Sequence, residues 1–113
     1  MSTKQKQEFK QDQEALKFLS EVPEEQAFYC MDGRILKDMN DLEKALDDMS
    51  DETFAYHSNT EKKDFSNWVA DVIGDNKLAE YLEGTLERDL AAEIVAGRIT
   101  CLTKMSAWGL RVE

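Results

Sequence analysis

His57 is the only histidine of the chain, and it closes the stretch Phe54-Ala55-Tyr56-His57, with Glu61, Asp64 and Asp71 the nearest carboxylates. A histidine beside carboxylates is the minimum equipment for general acid–base chemistry. A zinc site asks for three or four protein ligands, and Cys30 and Cys101 stand far apart and outside any Cys-x-x-Cys pair, so they do not extend the set. Helical spacing puts His57 one turn after Phe54. There it is expected to pack half-buried and to hydrogen-bond the Asp64 carboxylate or a helix end.

Asp64 and Asp75 each precede an apolar helical face, and N-capping accounts for both. A carboxylate dyad would need the two groups held together, which their separation along the chain does not ensure. Cys30 and Cys101 are flanked by apolar residues and read as buried, unactivated, reduced thiols. No serine sits in a Gly-x-Ser-x-Gly elbow and no glycine-rich phosphate loop exists. The expectation is therefore no catalytic residue, no cofactor and no metal ligand.

The elements that must carry these residues follow from spacing. Residues 3–21 are polar, with Phe9, Leu16 and Leu19 at near-helical intervals and Phe18 beside them. Pro23 breaks that helix. Ala27 to Leu36 reads as a β-hairpin around Asp32-Gly33, with a two-residue type I′ turn as the expected connection. Asn40 and Glu43 have capping-box spacing before Leu42, Ala45, Leu46 and Met49. Ser50 is the next N-cap, opening the helix that bears Phe54 and His57. Asp64 leads the most amphipathic segment, with Phe65, Trp68, Val69, Val72 and Ile73 on one face. Gly74 stops it and Asp75 starts the helix of Leu78, Ala79 and Leu82. Gly84-Thr85 repeats the stop and start before Leu86, Leu90, Ala91, Ile94 and Val95. Gly97 interrupts or ends that last helix, and Ile99 to Leu102 suits a short strand or a further helical turn.

The expected fold is α+β and mostly α-helical: a small helical domain with one β-hairpin. One domain spans 1–113, comprising an N-terminal helix and connector (1–25), a hairpin and helical core module (26–84) and a C-terminal helix and tail (85–113). Its core is expected around Phe28, Leu42, Leu46, Phe54, Phe65, Trp68, Val69, Val72, Ile73, Leu78 and Leu82.

The ordered string of Phe28 to Leu36, Leu42, Leu46, Met49, Phe54-Ala55-Tyr56-His57, Asp64-Phe65-Ser66-Asn67-Trp68-Val69, Val72-Ile73-Gly74-Asp75 and Leu78-Ala79 resembles a family of small acidic domains of unknown function. That family is mainly archaeal. The resemblance covers about half the chain, and Asp64-Phe65-x-x-Trp68 through Gly74-Asp75 is its most specific part. It implies a fold and a cellular context rather than a reaction.

Length and charge bound the function. A chain of 113 residues makes one domain, and 42% apolar with 34% charged residues is too apolar for a disordered segment. Lys and Arg total 14 against 24 Asp and Glu, so the net charge is −10. That balance argues against nucleic acid and anionic membranes as direct ligands. No apolar run is long enough to span a bilayer and no secretory signal is visible, so the cytoplasm is the expected compartment. Residues 21–52 hold eleven acids against three bases, net −8, while residues 85–113 balance at four and four.

A run of that kind is ordinarily a solvated face; the sharper reading is a docking face for a basic partner. Asp47, Asp48 and Asp51 are its candidate residues. Met105, Trp108 and Leu110 form a second candidate patch near the end of the chain, against the alternative that this segment folds back on the core. The first functional reading is thus a non-catalytic protein–protein interaction module, an accessory or regulatory subunit binding a protein partner or itself. The alternatives are an acidic mimic of nucleic acid that occupies a nucleic-acid-binding protein, and a small enzyme or metal protein centred on His57.

Overall fold

The computed structural model describes the backbone of residues 13–111 and the side chains of residues 13–106. Helix α1 covers residues 13–19. A single 3-10 turn, Glu24–Gln26, leads into strands β1 (Phe28–Tyr29) and β2 (Ile35–Leu36). Helices α2 (Met39–Asp48), α3 (Asp51–His57) and α4 (Asp64–Trp68) follow, the last continuing into a π-helical turn, Val69–Ile73. Helices α5 (Asn76–Glu83) and α6 (Arg88–Arg111) complete the order. The fold is α+β and mostly helical, with one two-stranded antiparallel hairpin among the described residues.

The hairpin departs from the expected turn. Phe28 pairs with Leu36 and Tyr29 with Ile35, and the Cys30 N–H donates to the Arg34 carbonyl at 2.9 Å. Three residues, Met31, Asp32 and Gly33, therefore form the loop rather than Asp32-Gly33 alone. Only Gly33 takes a left-handed φ, +98°, whereas a type I′ turn would need one at Asp32 too. The Asp32 carboxylate stabilises the loop instead, accepting from the Arg34 N–H at 3.1 Å and from Arg34 Nε at 2.9 Å.

Helix starts match the sequence signals unevenly. Ser50 caps α3, accepting from the Thr53 N–H, and Asp75 caps α5, accepting from the Leu78 N–H. For α2 the cap is Asp38, which accepts from the Asp41 N–H, not Asn40 with Glu43. Asp64 is no cap either: it is the first residue of α4, whose N-cap position, Lys63, makes no side-chain capping bond. The π-helical turn ends on Gly74, whose N–H donates to the Val69 carbonyl at 2.7 Å and whose φ of +94° turns the Asp75 N–H back to the same carbonyl at 3.2 Å.

Helix α6 runs unbroken from Arg88 to Arg111, through Gly97 and through Ile99 to Leu102. Its packing against α2 compensates the roughly 1 kcal/mol that a mid-helix glycine costs. Ala91, Ala92, Val95 and Leu102 are buried there, and they join Met39, Leu42, Leu46, Phe54, Phe65, Val69, Leu78 and Leu82 in one core. Ala15 of α1 closes that core from outside, with Phe18 and Leu19 packed against it. Among the described residues no helix is long and apolar enough to cross a membrane.

Candidate functional site

The polar centre of the molecule is the junction of the hairpin with α3 and α4. His57 ends α3 and is 5% exposed. Its Nε2 accepts the Met31 N–H of the hairpin loop at 2.9 Å. A backbone amide can only donate, so Nε2 carries no hydrogen and the ring hydrogen sits on Nδ1. Nδ1 then donates to Asp64 Oδ2 at 3.0 Å, and Lys62 Nζ lies 3.4 Å from the same oxygen. Asp64 thus ties the start of α4 to the end of α3, and His57 passes that tie on to the hairpin.

Aromatic rings surround the imidazole and hold it in place. Phe28 approaches it edge-on at 5.1 Å and Phe65 lies tilted to it at 5.3 Å, while Phe28 and Phe65 stack on each other at 5.0 Å. Tyr56 meets it edge-on at 4.9 Å and carries Lys62 Nζ over its own face at 3.9 Å. Trp68 packs beside Phe28 and donates from Nε1 to the Gln26 carbonyl at 2.9 Å, so its polar edge is engaged inside the fold. Both nitrogens of His57 are engaged in the same way. Among the described residues no three His, Cys, Asp or Glu side chains converge as a ligand set.

Asp75 builds a second buried polar site where α5 meets α6. It is 1% exposed, and its carboxylate receives Arg98 Nε at 2.7 Å and Nη2 at 3.0 Å, besides capping α5. That bidentate bond, working against the desolvation of the guanidinium, raises the Arg98 pKa above its usual value. Asp64 and Asp75 therefore serve separate corners of the fold.

Outside this frame lies a surface of a different kind. Tyr29 and Ile35 are cross-strand partners on the solvent side of the hairpin, 59% and 51% exposed, and Met31 beside them is 55% exposed. Arg34 joins this face to the acidic end of α2, through Asp32 at 2.9 Å and Asp48 at 3.7 Å. Desolvation opposes the charged form of Asp32, but the bonds from Arg34 outweigh it and hold the carboxyl below its usual range.

Asp47, Asp48 and Asp51 stand together at the α2–α3 junction. Arg88, at the start of α6, reaches across to them. Its Nη1 donates to the Leu46 and Asp47 carbonyls at 2.8 and 3.0 Å, and its Nε to Asp51 Oδ1 at 2.8 Å.

The thiols divide. Cys30 is buried, which raises its pKa, but Cys101 is exposed, contrary to the expectation of two buried cysteines. Met105 is half-buried against the core, while the side chains of Trp108 and Leu110 lie outside the described residues. Sequence reasoning missed Tyr29, Met31, Ile35, Arg34 and Arg88. The first three had a signal, the alternation of Phe28 with Tyr29 and of Ile35 with Leu36 about a turn. The two arginines act over contacts that only the folded chain creates. No protein-family profile, curated protein or solved structure matches the chain.

Proposed function

We propose that the chain is a non-catalytic protein–protein interaction module, an accessory or regulatory subunit that docks through the outer face of its hairpin and the acidic end of α2. One observation carries the reading: Tyr29, Met31 and Ile35 remain more than half exposed on a hairpin that the His57 junction holds from within. Strands of two residues are unstable alone, so the contacts that hold them also present these apolar side chains to solvent.

The charge around them fits a basic partner. Asp47 and Asp48 end α2, where the helix dipole disfavours acids, and no base occupies that last turn. Arg88 satisfies the backbone carbonyls there but leaves Asp48 with a side chain 55% exposed. The partner this face suits is a segment carrying basic residues around apolar ones. An acidic decoy is supported less, because Asp48 and Asp51 already face Arg34 and Arg88. A reaction centred on His57 is supported less, because both its nitrogens are hydrogen-bonded within the fold. The likeness of residues 28–79 to small acidic domains brings no activity with it, and two unpaired cysteines suit a reducing, cytoplasmic setting.

The test is a titration of the chain with a labelled synthetic peptide of alternating Lys and Leu, and with an all-Lys control. Ile35→Ser is expected to weaken the Lys/Leu peptide about tenfold and to leave the control unchanged. Reversing Asp47, Asp48 and Asp51 to Lys is expected to slow association and flatten its salt dependence. Equal binding of the Lys/Leu peptide by wild type and both variants would refute the proposal.

A further inference from the structure

Helix α6 turns Ala91, Val95 and Leu102 to the core and carries a second stripe part-way round its circumference. That stripe runs Leu90, Ile94, Gly97 and Cys101, at intervals of four, three and four residues, which is the spacing of a helix–helix seam. Leu90 is 45% exposed, Ile94 is half-buried, and Gly97 and Cys101 are exposed. From α6, Ile94, Gly97 and Cys101 line a groove of about 670 Å³ together with Glu93 and with Arg98, which is paired to Asp75; from the α5 side come Lys77, Tyr81 and Thr85. Nothing lies within 4 Å of where a Cβ on Gly97 would stand, so another backbone can come close there.

The charges of the helix are segregated. Asp89 and Glu93 lie in its first part, Arg98, Lys104 and Arg111 in its second, and Arg88 is engaged with α2. Counting Arg88, α6 has four bases and two acids, net +2, in a chain of −10. Self-association through residues 21–52 would bring together two segments of net −8, which pairing through α6 avoids.

We infer that the groove between α5 and α6 is the interface of an antiparallel homodimer, α6 of each copy lying along α6 of the other about a two-fold axis near residues 98 and 99. Such an interface is self-complementary by symmetry. Gly97 of one copy then lies level with Cys101 of the second, where both side chains are small. Glu93 and Lys104 flank the seam on the same side of the helix, eleven residues apart, and the antiparallel axis brings each level with the other across the interface. A parallel pairing would set Glu93 beside Glu93 and Lys104 beside Lys104. The inference goes beyond the docking role of the hairpin and stands whether or not that role does.

Sedimentation velocity on the full chain, from low micromolar to submillimolar concentration, tests it. The expected result is a reversible monomer–dimer equilibrium. Gly97→Arg fills the groove without touching the core and is expected to raise the dimer dissociation constant at least about tenfold with Tm maintained. Glu93→Lys and Lys104→Glu are each expected to weaken the dimer, and the double exchange to restore it. A short bismaleimide is expected to link Cys101 to Cys101 of the second copy. A monomer throughout the range overturns the inference, as does a dimer indifferent to Gly97→Arg. A double exchange weaker than either single one overturns the antiparallel arrangement.

Discussion

The hairpin end and the α5–α6 corner each depend on one aspartate at a helix start, and the two are built differently. Asp75 is fully buried, caps its helix and takes both prongs of Arg98. Asp64 keeps 31% of its side chain exposed, caps nothing and accepts from His57, which in turn accepts from the backbone of the hairpin loop. The corner is joined directly by an ion pair. The hairpin is joined through a relay of single hydrogen bonds around an imidazole, so its outer face belongs to the more readily opened end of the molecule.

The most damaging single change is expected at the corner. Asp75→Ala removes the cap and leaves Arg98 largely buried without its partner, at a cost of about 3–5 kcal/mol, to be read from urea unfolding. Arg98→Met at the same corner keeps the capping bond but leaves the buried Asp75 carboxylate without its cation, and is expected to cost nearly as much as Asp75→Ala. A much smaller cost would mean that the cap, not the ion pair, dominates.

At the hairpin end, His57→Gln is expected to cost roughly 0.5–3 kcal/mol and, because it frees the Met31 loop, to weaken binding of the Lys/Leu peptide as well. Stoichiometric zinc in the purified chain, lost in that variant, would contradict the structural role of His57. Two glycines sharpen the contrast with opposite signs. Gly33→Ala strains a φ of +98° and is expected to destabilise by about 1 kcal/mol, whereas Gly97→Ala, exposed in the interior of α6, is expected to stabilise by up to about 1 kcal/mol. The smallest effect is kinetic. Cys101 is expected to react with a maleimide at the rate of an exposed thiol, and Cys30 only as the fold opens, because burial both hides it and raises its pKa.

How much of this was legible follows from the range of the interactions. The apolar periodicity of Phe65, Trp68, Val69 and Ile73, the stop at Gly74 and the caps at Ser50 and Asp75 are local, and a single segment displays them. Asp64 and Asp75 look alike in sequence, and only the approach of His57 and Arg98 separates their roles. The continuity of α6 past Gly97 depends on α2, and the bonds of Arg88 to α2 span 41 and 42 residues. The loop length of the hairpin was hidden for a similar reason: pairing of Cys30 with Arg34, fixed in part by His57 holding Met31, displaces the shorter turn that Asp32-Gly33 alone would favour. Of the candidate interaction residues, the acids stood out as a charge run, while the apolar hairpin face beside them needed the strand register to be seen.

The central claim is that His57 is a strut holding the hairpin, with both nitrogens engaged. Nitrogen-15 NMR of the imidazole, correlated through its ring carbons to hydrogen, tests it most directly. The account predicts an unprotonated Nε2, a hydrogen on Nδ1, and a Met31 amide protected from exchange in wild type but not in His57→Gln. A hydrogen on Nε2 with a freely exchanging Met31 amide would contradict it.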